Sequence, residues 1–383
     1  CALPIWAAFV TSGDVTNPLV CTAGATELTL QGMIDKANAG DTITLNSNTE
    51  IAATLQITKN LTLDLNGYVL KMGGTGRVIH ITSSAEVEIK DGESNRAHTG
   101  EYAALPAGGV ITGGKAESGG GILLDGGCTL KLTGGCITDC RATDTGGGGV
   151  DLRGSTAILY ISGTARIENC TAGEMWGANA IFNSGTMYAD GGTVDGTVNN
   201  QGTIKRSEGT ADMDMTVFNK AVYNRAGKSI EAGIYKGTVE NRGSITGGTF
   251  YGGVTDDGGT IRGGTFAVTF DRGDGTKTEP TLVEWNGKVS RPTSDPEKSG
   301  HTFVGWYLGD EKYNFDTPIT APLTLTAEWE KVPSSGGYYY YPTTDTKADD
   351  AKDSPKTADP GVALYAALSL LSLTGLTCAT KKR

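Results

Sequence analysis

The chain has 383 residues, a formal net charge of −11 and 57 glycines, about twice the usual glycine share. Its length allows two or three domains, and its acidic balance argues against a nucleic-acid partner, which needs a basic patch. Seven cysteines with no Cys-x-x-Cys pair, and only His80, His98 and His301 beside them, argue against a zinc site; no cofactor or metal is expected.

Residues 1–23 begin at Cys1 and are apolar from Cys1 to Val10 without a basic leader. They read either as the remnant of a signal region or as the edge of an incomplete gene. From 24 to 266 the chain returns again and again to short β-type runs such as Asp41-Thr-Ile-Thr-Leu45, Leu61-Thr-Leu-Asp-Leu65, Val78-Ile-His-Ile81 and Val87-Glu-Ile89. Each alternates apolar and polar residues beside Gly or Asn-Gly turns. One short helix is expected over about Leu30 to Asn38.

Repeats set the architecture. Ile137-Thr-Asp-Cys140-Arg-Ala142 returns as Ile167-Glu-Asn-Cys170-Thr-Ala172, each behind a glycine cluster and a strand. Val239-Glu-Asn-Arg-Gly-Ser-Ile245-Thr-Gly-Gly-Thr-Phe250 returns as Val254-Thr-Asp-Asp-Gly-Gly-Thr-Ile261-Arg-Gly-Gly-Thr-Phe266, with an earlier relative at Val222-Tyr-Asn-Arg-Ala-Gly. A unit this short cannot close a core alone; stacked in parallel on its neighbours it can. The fold class is therefore all-β, a parallel β-helix over 24–266, with a β-sandwich as the alternative. The opening, Leu30 to Leu45 followed by Leu61-Thr-Leu-Asp-Leu-Asn-Gly67, resembles the first rungs of the right-handed, pectate-lyase-like β-helix superfamily. That resemblance implies that the helix caps the open end of the stack. Cys140 and Cys170 hold equivalent places and should stack, either as inward thiols, the reading preferred here, or as a disulfide.

Over 267–330 the glycine clusters stop and aromatics appear. Val268-Thr-Phe-Asp, Gly300-His-Thr-Phe-Val-Gly-Trp-Tyr307 and Leu323-Thr-Leu-Thr-Ala-Glu-Trp329 resemble the internalin-type B repeat, a β-grasp-like module of bacterial surface proteins. The resemblance implies Trp306 and Trp329 as core anchors and Asp274-Gly275 as a hairpin turn. The spacing of Asp271 and Asp274 is not that of a calcium loop.

Residues 331–353 lack an apolar period and read as a linker that crosses the wall. The end, 354–383, reads Ser354-Pro355-Lys356-Thr357-Ala358, an uncharged run over 361–379, and Lys381-Lys382-Arg383. A helix over 361–379 would be about 28 Å long, close to a hydrocarbon core of about 30 Å, with its basic end on the cytoplasmic side. A Pro-x-Thr motif, an apolar run and a basic tail in that order resemble the cell-wall sorting signal of Gram-positive surface proteins. Ser354 and Ala358 depart from its commonest form, Leu-Pro-x-Thr-Gly, which bears on the class of sortase. The resemblance implies recognition of Ser354 to Ala358 by a sortase, cleavage after Thr357, transfer to a peptidoglycan precursor, and an extracellular, wall-attached protein.

No hydrolase, metalloprotease or nucleotide-binding motif is present; Ala226-Gly-Lys-Ser229 has Val222 where a phosphate loop needs glycine. Asp139 and Glu168 nearly repeat on two rungs and are candidates for outward carboxylates, able in principle to serve a wall-anchored polysaccharide lyase or hydrolase. No His, Lys or Arg companion recurs beside them, so solvated surface charge is the preferred reading. The expected function is adhesin-like binding of a glycan or a cell surface through the β-helix; a structural display spacer makes the same fold.

Overall fold

The computed structural model describes residues 9–12, 29–173, 178–209, 211 and 214–333. Residues 334–353 of the linker, the Ser354–Ala358 motif and the 361–379 run lie outside these residues, as do Cys1, Cys21 and Cys378. Nearly every element is a short strand, paired in parallel with the strand one turn of the chain earlier. The result is a parallel β-helix with three faces. A strand such as Thr42–Leu45 opens the first face, Thr49–Ile51 the second and Leu55–Ile57 the third. The third face is a sheet of nine strands, running from Leu55–Ile57 to Val254–Asp256.

Alternation puts every second side chain inside, and parallel pairing puts equivalent side chains on top of one another about 4.8 Å apart. On the first face this makes the column Leu61, Val87, Leu130, Leu159, Met187, Ile204, Ile230, Ile245 and Ile261. The third face contributes Leu55, Ile79, Ile122, Val150, Ile181, Val198, Val222, Val239 and Val254. On the second face Ile111, Ile137, Ile167 and Val194 give way to Phe218, Tyr235, Phe250 and Phe266. Those four rings stack with centroids 4.9, 4.9 and 5.3 Å apart. The expected pairs Ile137/Ile167, Val239/Val254 and Phe250/Phe266 are all present. Cys140 and Cys170 also meet as buried free thiols, Cys140 Sγ donating to the Thr138 carbonyl (3.3 Å) and Cys170 Sγ to the Ile137 carbonyl (3.7 Å). The neighbouring Cys170 thiol and then burial push the Cys140 thiol up, and burial pushes up the thiol of Cys136.

A second inward column of the third face changes chemistry along the stack. Ile57, Ile81, Leu124 and Leu152 are followed by Asn183, Asn200, Asn224, Asn241 and then Asp256. The four asparagines are buried, and each Nδ2 donates to the oxygen of the next residue in the column, at 2.8, 2.8, 2.8 and 3.1 Å. The second Nδ2 hydrogen of each donates to the carbonyl of Thr203, Ser229, Ser244 or Thr260. Asn200 and Asn241 also accept at Oδ1 from the amides of Gly202 and Gly243, so both fill all four hydrogen-bonding positions. A buried amide costs free energy only where its partners are missing, and here the rung below and the rung above supply them.

The lower end of the stack is closed by the helix Leu30–Lys36, which buries Leu30, Met33 and Ile34. It ends slightly before the expected Asn38. Thr29 caps it by accepting from the Gly32 amide (3.1 Å). Gln31 accepts from the Gln56 amide and donates to the Gln56 carbonyl, supplying a partner to the first strand of the third face. Lys59 Nζ donates to the Asp35 and Ala37 carbonyls at the other helix end. Phe9–Ser12 runs antiparallel along Thr42–Leu45 and covers the edge of the first face.

At the upper end one strand, Thr265–Asp271, belongs to two structures. Its Thr265 and Phe266 continue the second face above Thr249 and Phe250. Its Val268 to Asp271 pair in parallel with Leu323 to Thr326 of the following module, and Thr281–Glu284 runs antiparallel along Thr265 to Val268. The module's other long strands, His301–Leu308 and Leu323–Lys331, are antiparallel, with an irregularity between Phe303 and Gly305. Trp306 is buried and meets Phe270 edge-on at 4.8 Å; Trp329 is part-buried, with its indole N–H donating to the Arg272 carbonyl (2.9 Å). Asp274 accepts from the Thr276 amide and hydroxyl, as a turn residue does.

Two outcomes follow from this packing. Asn224→Ala removes the acceptor of the Asn200 amide hydrogen and the donor to the Asn241 oxygen and the Ser244 carbonyl; a loss of about 3 kcal/mol is expected, measured by denaturant unfolding, while exposed Thr255→Ala, two strands further along the same face, should change stability by less than about 0.5 kcal/mol. In the native protein a thiol reagent should leave Cys128, Cys136, Cys140 and Cys170 unmodified and label all four after unfolding, read by mass spectrometry of the peptides.

Candidate functional site

Register decides what the two carboxylates do. Glu168 pairs with Thr138 on one side and Asp195 on the other, whereas Asp139 lies one position further along, in the corner that Asn169 occupies on the next rung. Asp139 and Asn169 both have left-handed backbone, with φ of 52° and 50°. Asp and Asn enter that conformation more readily than other non-glycine residues. The Asp139 side chain is thus accounted for by the shape of the corner. The carboxylates of Asp139 and Glu168 are not at equivalent positions. The Asp271–Asp274 segment is likewise a turn: Asp271 accepts from the Gly273 amide and pairs with Lys277 at 3.2 Å. Hydrogen bonds from Gly273 and Lys277 hold the Asp271 carboxyl below its usual range. Among the described residues no group of three or more His, Cys, Asp or Glu could hold a metal ion, and no helix is long and apolar enough to cross a membrane.

The structure gathers ionisable side chains on the outside of the third face instead. His80 Nε2 lies 3.1 Å from Asp125 Oδ2, and Asp125 pairs in register with Arg153. Arg153 donates to Ser118 Oγ (2.7 Å), and Arg77 donates to the Ser118 carbonyl (3.3 Å). Asp151 is buried beside them; burial raises its carboxyl, against the hydrogen bond from Ser118 and the charges of Arg153 and Arg77. Burial also lowers the Arg77 guanidinium, and the like charge of Arg153 adds to that. This cluster ties the turn around Ser118 to the strands beneath it.

A recess lies elsewhere, at the corner between the first and second faces near the upper end. Its volume is about 430 Å³. The floor is Gly247 and Gly248 on one rung and Gly263 and Gly264 on the next. Gly248 and Gly264 have φ of 100° and 101°, and a Cβ there would sit 3.0 Å from the Tyr235 ring or 2.9 Å from the Phe250 ring. The glycines are needed because the ring stack presses directly against the corner from inside. The outer consequence is a trough without side chains. Arg206, Glu231, Thr246 and Arg262 line the first-face side, and Glu284 and Trp285 of the module close the other. The Trp285 backbone amide donates to the Gly264 carbonyl (2.8 Å), which ties the Trp285 main chain to the floor. A second recess of about 350 Å³ lies at another glycine corner, beside Lys228 and Arg242, where Arg242 pairs with Asp257 at 2.6 Å.

The sequence reading did not single out this recess. Its signal was the recurring Gly-Gly of Thr246-Gly-Gly-Thr249 and Arg262-Gly-Gly-Thr265, but Glu284 and Trp285 reach it only because Thr281–Glu284 folds back along the last rung.

Comparison with known proteins places residues 266–328 in agreement with the Listeria-Bacteroides repeat domain. Two proteins of Evansella cellulosilytica are similar over shorter stretches. One, provisionally named a membrane protein, is 33% identical over 66 residues, which is 16% of this chain and 10% of that protein. The other, provisionally named a Gly-rich membrane protein, is 33% identical over 67 residues, 16% of this chain and 8% of that protein. The chain thus matches about a tenth or less of each relative's length. The repeat-domain match and the stack of parallel strands fit a surface repeat protein.

The buried carboxyl gives a pH signature. Asp151 is raised in the folded protein, so the folded state holds its proton more tightly than the unfolded chain, and stability falls as pH rises from about 3.8 through the folded value. Asp151→Asn removes this dependence. The stability of the parent minus that of the variant, from urea unfolding at stepped pH, is expected to decline across that window and to level off above it.

Proposed function

We propose that this chain is a cell-envelope surface protein, attached covalently to the wall by a sortase and holding out an adhesin-like β-helix that binds a glycan or a neighbouring cell surface. The observation that carries the reading is the order of parts: a rigid stack, then a module matching a repeat domain of surface-type proteins, then a tail with the features of a sorting signal. The names of the two similar proteins are in keeping with an envelope location. The likeness of 267–330 to an internalin-type B repeat adds the surface-display role.

Attachment would proceed by two acyl transfers. A sortase thiolate attacks the Thr357 carbonyl, the Thr357–Ala358 peptide bond breaks, and Ala358 to Arg383 leave with a new amine; an amine of the peptidoglycan precursor then displaces the thiolate and forms an amide. Pro355 fixes the backbone two residues before the cleaved bond. The strand shared between stack and module suits display, since no flexible linker separates the two. A long lateral face can repeat one weak contact, and many anchored copies supply avidity.

Thr357→Ala should move the full chain from purified cell wall to the membrane fraction or the medium, in immunoblots of fractionated cells. Covalent retention of the variant in washed wall would contradict the anchoring route. Binding is checked separately, by glycan array and cell adhesion with the full chain.

A further inference from the structure

Arg206, Arg262, Glu231 and Glu284 give the glycine-floored recess two guanidinium and two carboxylate groups, so its formal charges cancel. A polyanion or a polycation gains no net attraction there. A hydroxyl-rich neutral chain meets both charged donors and charged acceptors, the stronger class of hydrogen bond. Arg262, Glu231 and Glu284 are exposed at the rim, while Trp285 is part-buried and braced against the core. An indole held in this way offers a rigid apolar face beside polar groups, an arrangement suited to the C–H face of a pyranose.

The floor adds a length. Gly247 and Gly263 occupy the same corner on successive rungs, and a Cβ on either would meet the carbonyl of the rung below, at 2.1 Å from Glu231 O and 2.2 Å from Thr246 O. The trough is therefore kept bare along the stack axis by its own backbone packing. Successive rungs are about 4.8 Å apart, close to the length of one sugar in an extended β-1,4-linked chain. Consecutive sugars can then lie over successive rungs of the same bare floor, Gly247-Gly248 and Gly263-Gly264. The volume of about 430 Å³ falls within the range of ligand clefts.

We infer that this recess is a subsite for a linear, neutral, β-1,4-linked glycan lying along the stack axis, and that the repeat module completes it by supplying Glu284 and Trp285. The inference rests on the surface-binding reading above and names the class of ligand. It gives the module a part in recognition besides that of support.

The test uses the full chain and three probes, cellohexaose and chitohexaose as neutral hexamers and hexagalacturonic acid as the charged one, by titration calorimetry. At least one neutral hexamer should bind, and more tightly than the acidic one. Arg262→Ala and Thr246→Trp are changes at exposed positions. The first removes a charged donor and the second fills the trough; each should weaken neutral-hexamer binding by about tenfold or more. Trp285→Ala should do the same, with its thermal unfolding recorded in parallel because the ring also packs on the core. The inference is overturned if neither neutral hexamer binds, if the acidic hexamer binds more tightly, or if Thr246→Trp leaves neutral binding unchanged. Adhesion of the full chain to cells without hexamer binding would overturn this subsite alone. Loss of adhesion and of all array binding as well would overturn the surface-binding reading with it.

Discussion

Parallel pairing forces like onto like. Once each strand is hydrogen-bonded to its equivalent one turn earlier, every inward position faces a copy of itself about 4.8 Å away, and only side chains able to pack or bond with their own kind can fill the column. Branched aliphatics satisfy this by contact, as Ile230, Ile245 and Ile261 do. Flat rings do so by stacking, as in Phe218, Tyr235, Phe250 and Phe266. Asparagine does so because its amide is both donor and acceptor. Tyr235 fits a column of phenylalanines because its hydroxyl finds the Ala232 carbonyl at 2.7 Å.

The same rule explains what could be read from the sequence. Ile137 and Ile167, or Phe250 and Phe266, reveal the stack because self-pairing leaves its mark as repetition. Asparagine recurs as well, in Val222-Tyr-Asn-Arg and Val239-Glu-Asn-Arg, but nothing in that repetition marks it as inward. Asn two or three residues before Gly reads as an ordinary turn signal, and only the register shows that Asn183, Asn200, Asn224 and Asn241 turn inward and meet. Asp139 and Glu168 look more alike in the repeat than their register makes them. Glu168 pairs with Thr138, and Asp139 sits one place further on in a left-handed corner, so the two acidic residues do not occupy equivalent positions. The recess was hidden for a third reason. Its floor is local to the Gly-Gly corners, but its far wall comes from Glu284 and Trp285, whose position depends on a later reversal of the chain.

Interior and exterior are linked at the glycine corners. Aromatic rings inside require bare backbone at Gly248 and Gly264, and bare backbone leaves a trough outside. The composition changes at Phe266, yet the strand Thr265–Asp271 runs through that point without a break, so the last rung of one structure is the first strand of the other. Core packing, surface relief and the joining of the two parts therefore meet within a few residues of the same strand.

The asparagine column also has a direction. Each carboxamide gives a hydrogen to the next and takes one from the last, so all four point the same way, and reversing one would set nitrogen against nitrogen on one side and oxygen against oxygen on the other. Asp256 receives from Asn241, but an ionised carboxylate has no hydrogen to pass on. The column is thus a grammar for growth by duplication. A rung bearing asparagine can be inserted anywhere between Asn183 and Asp256 with every bond preserved, whereas an asparagine placed beyond Asp256 would receive no hydrogen from it. One residue type licenses elongation and the other is the stop.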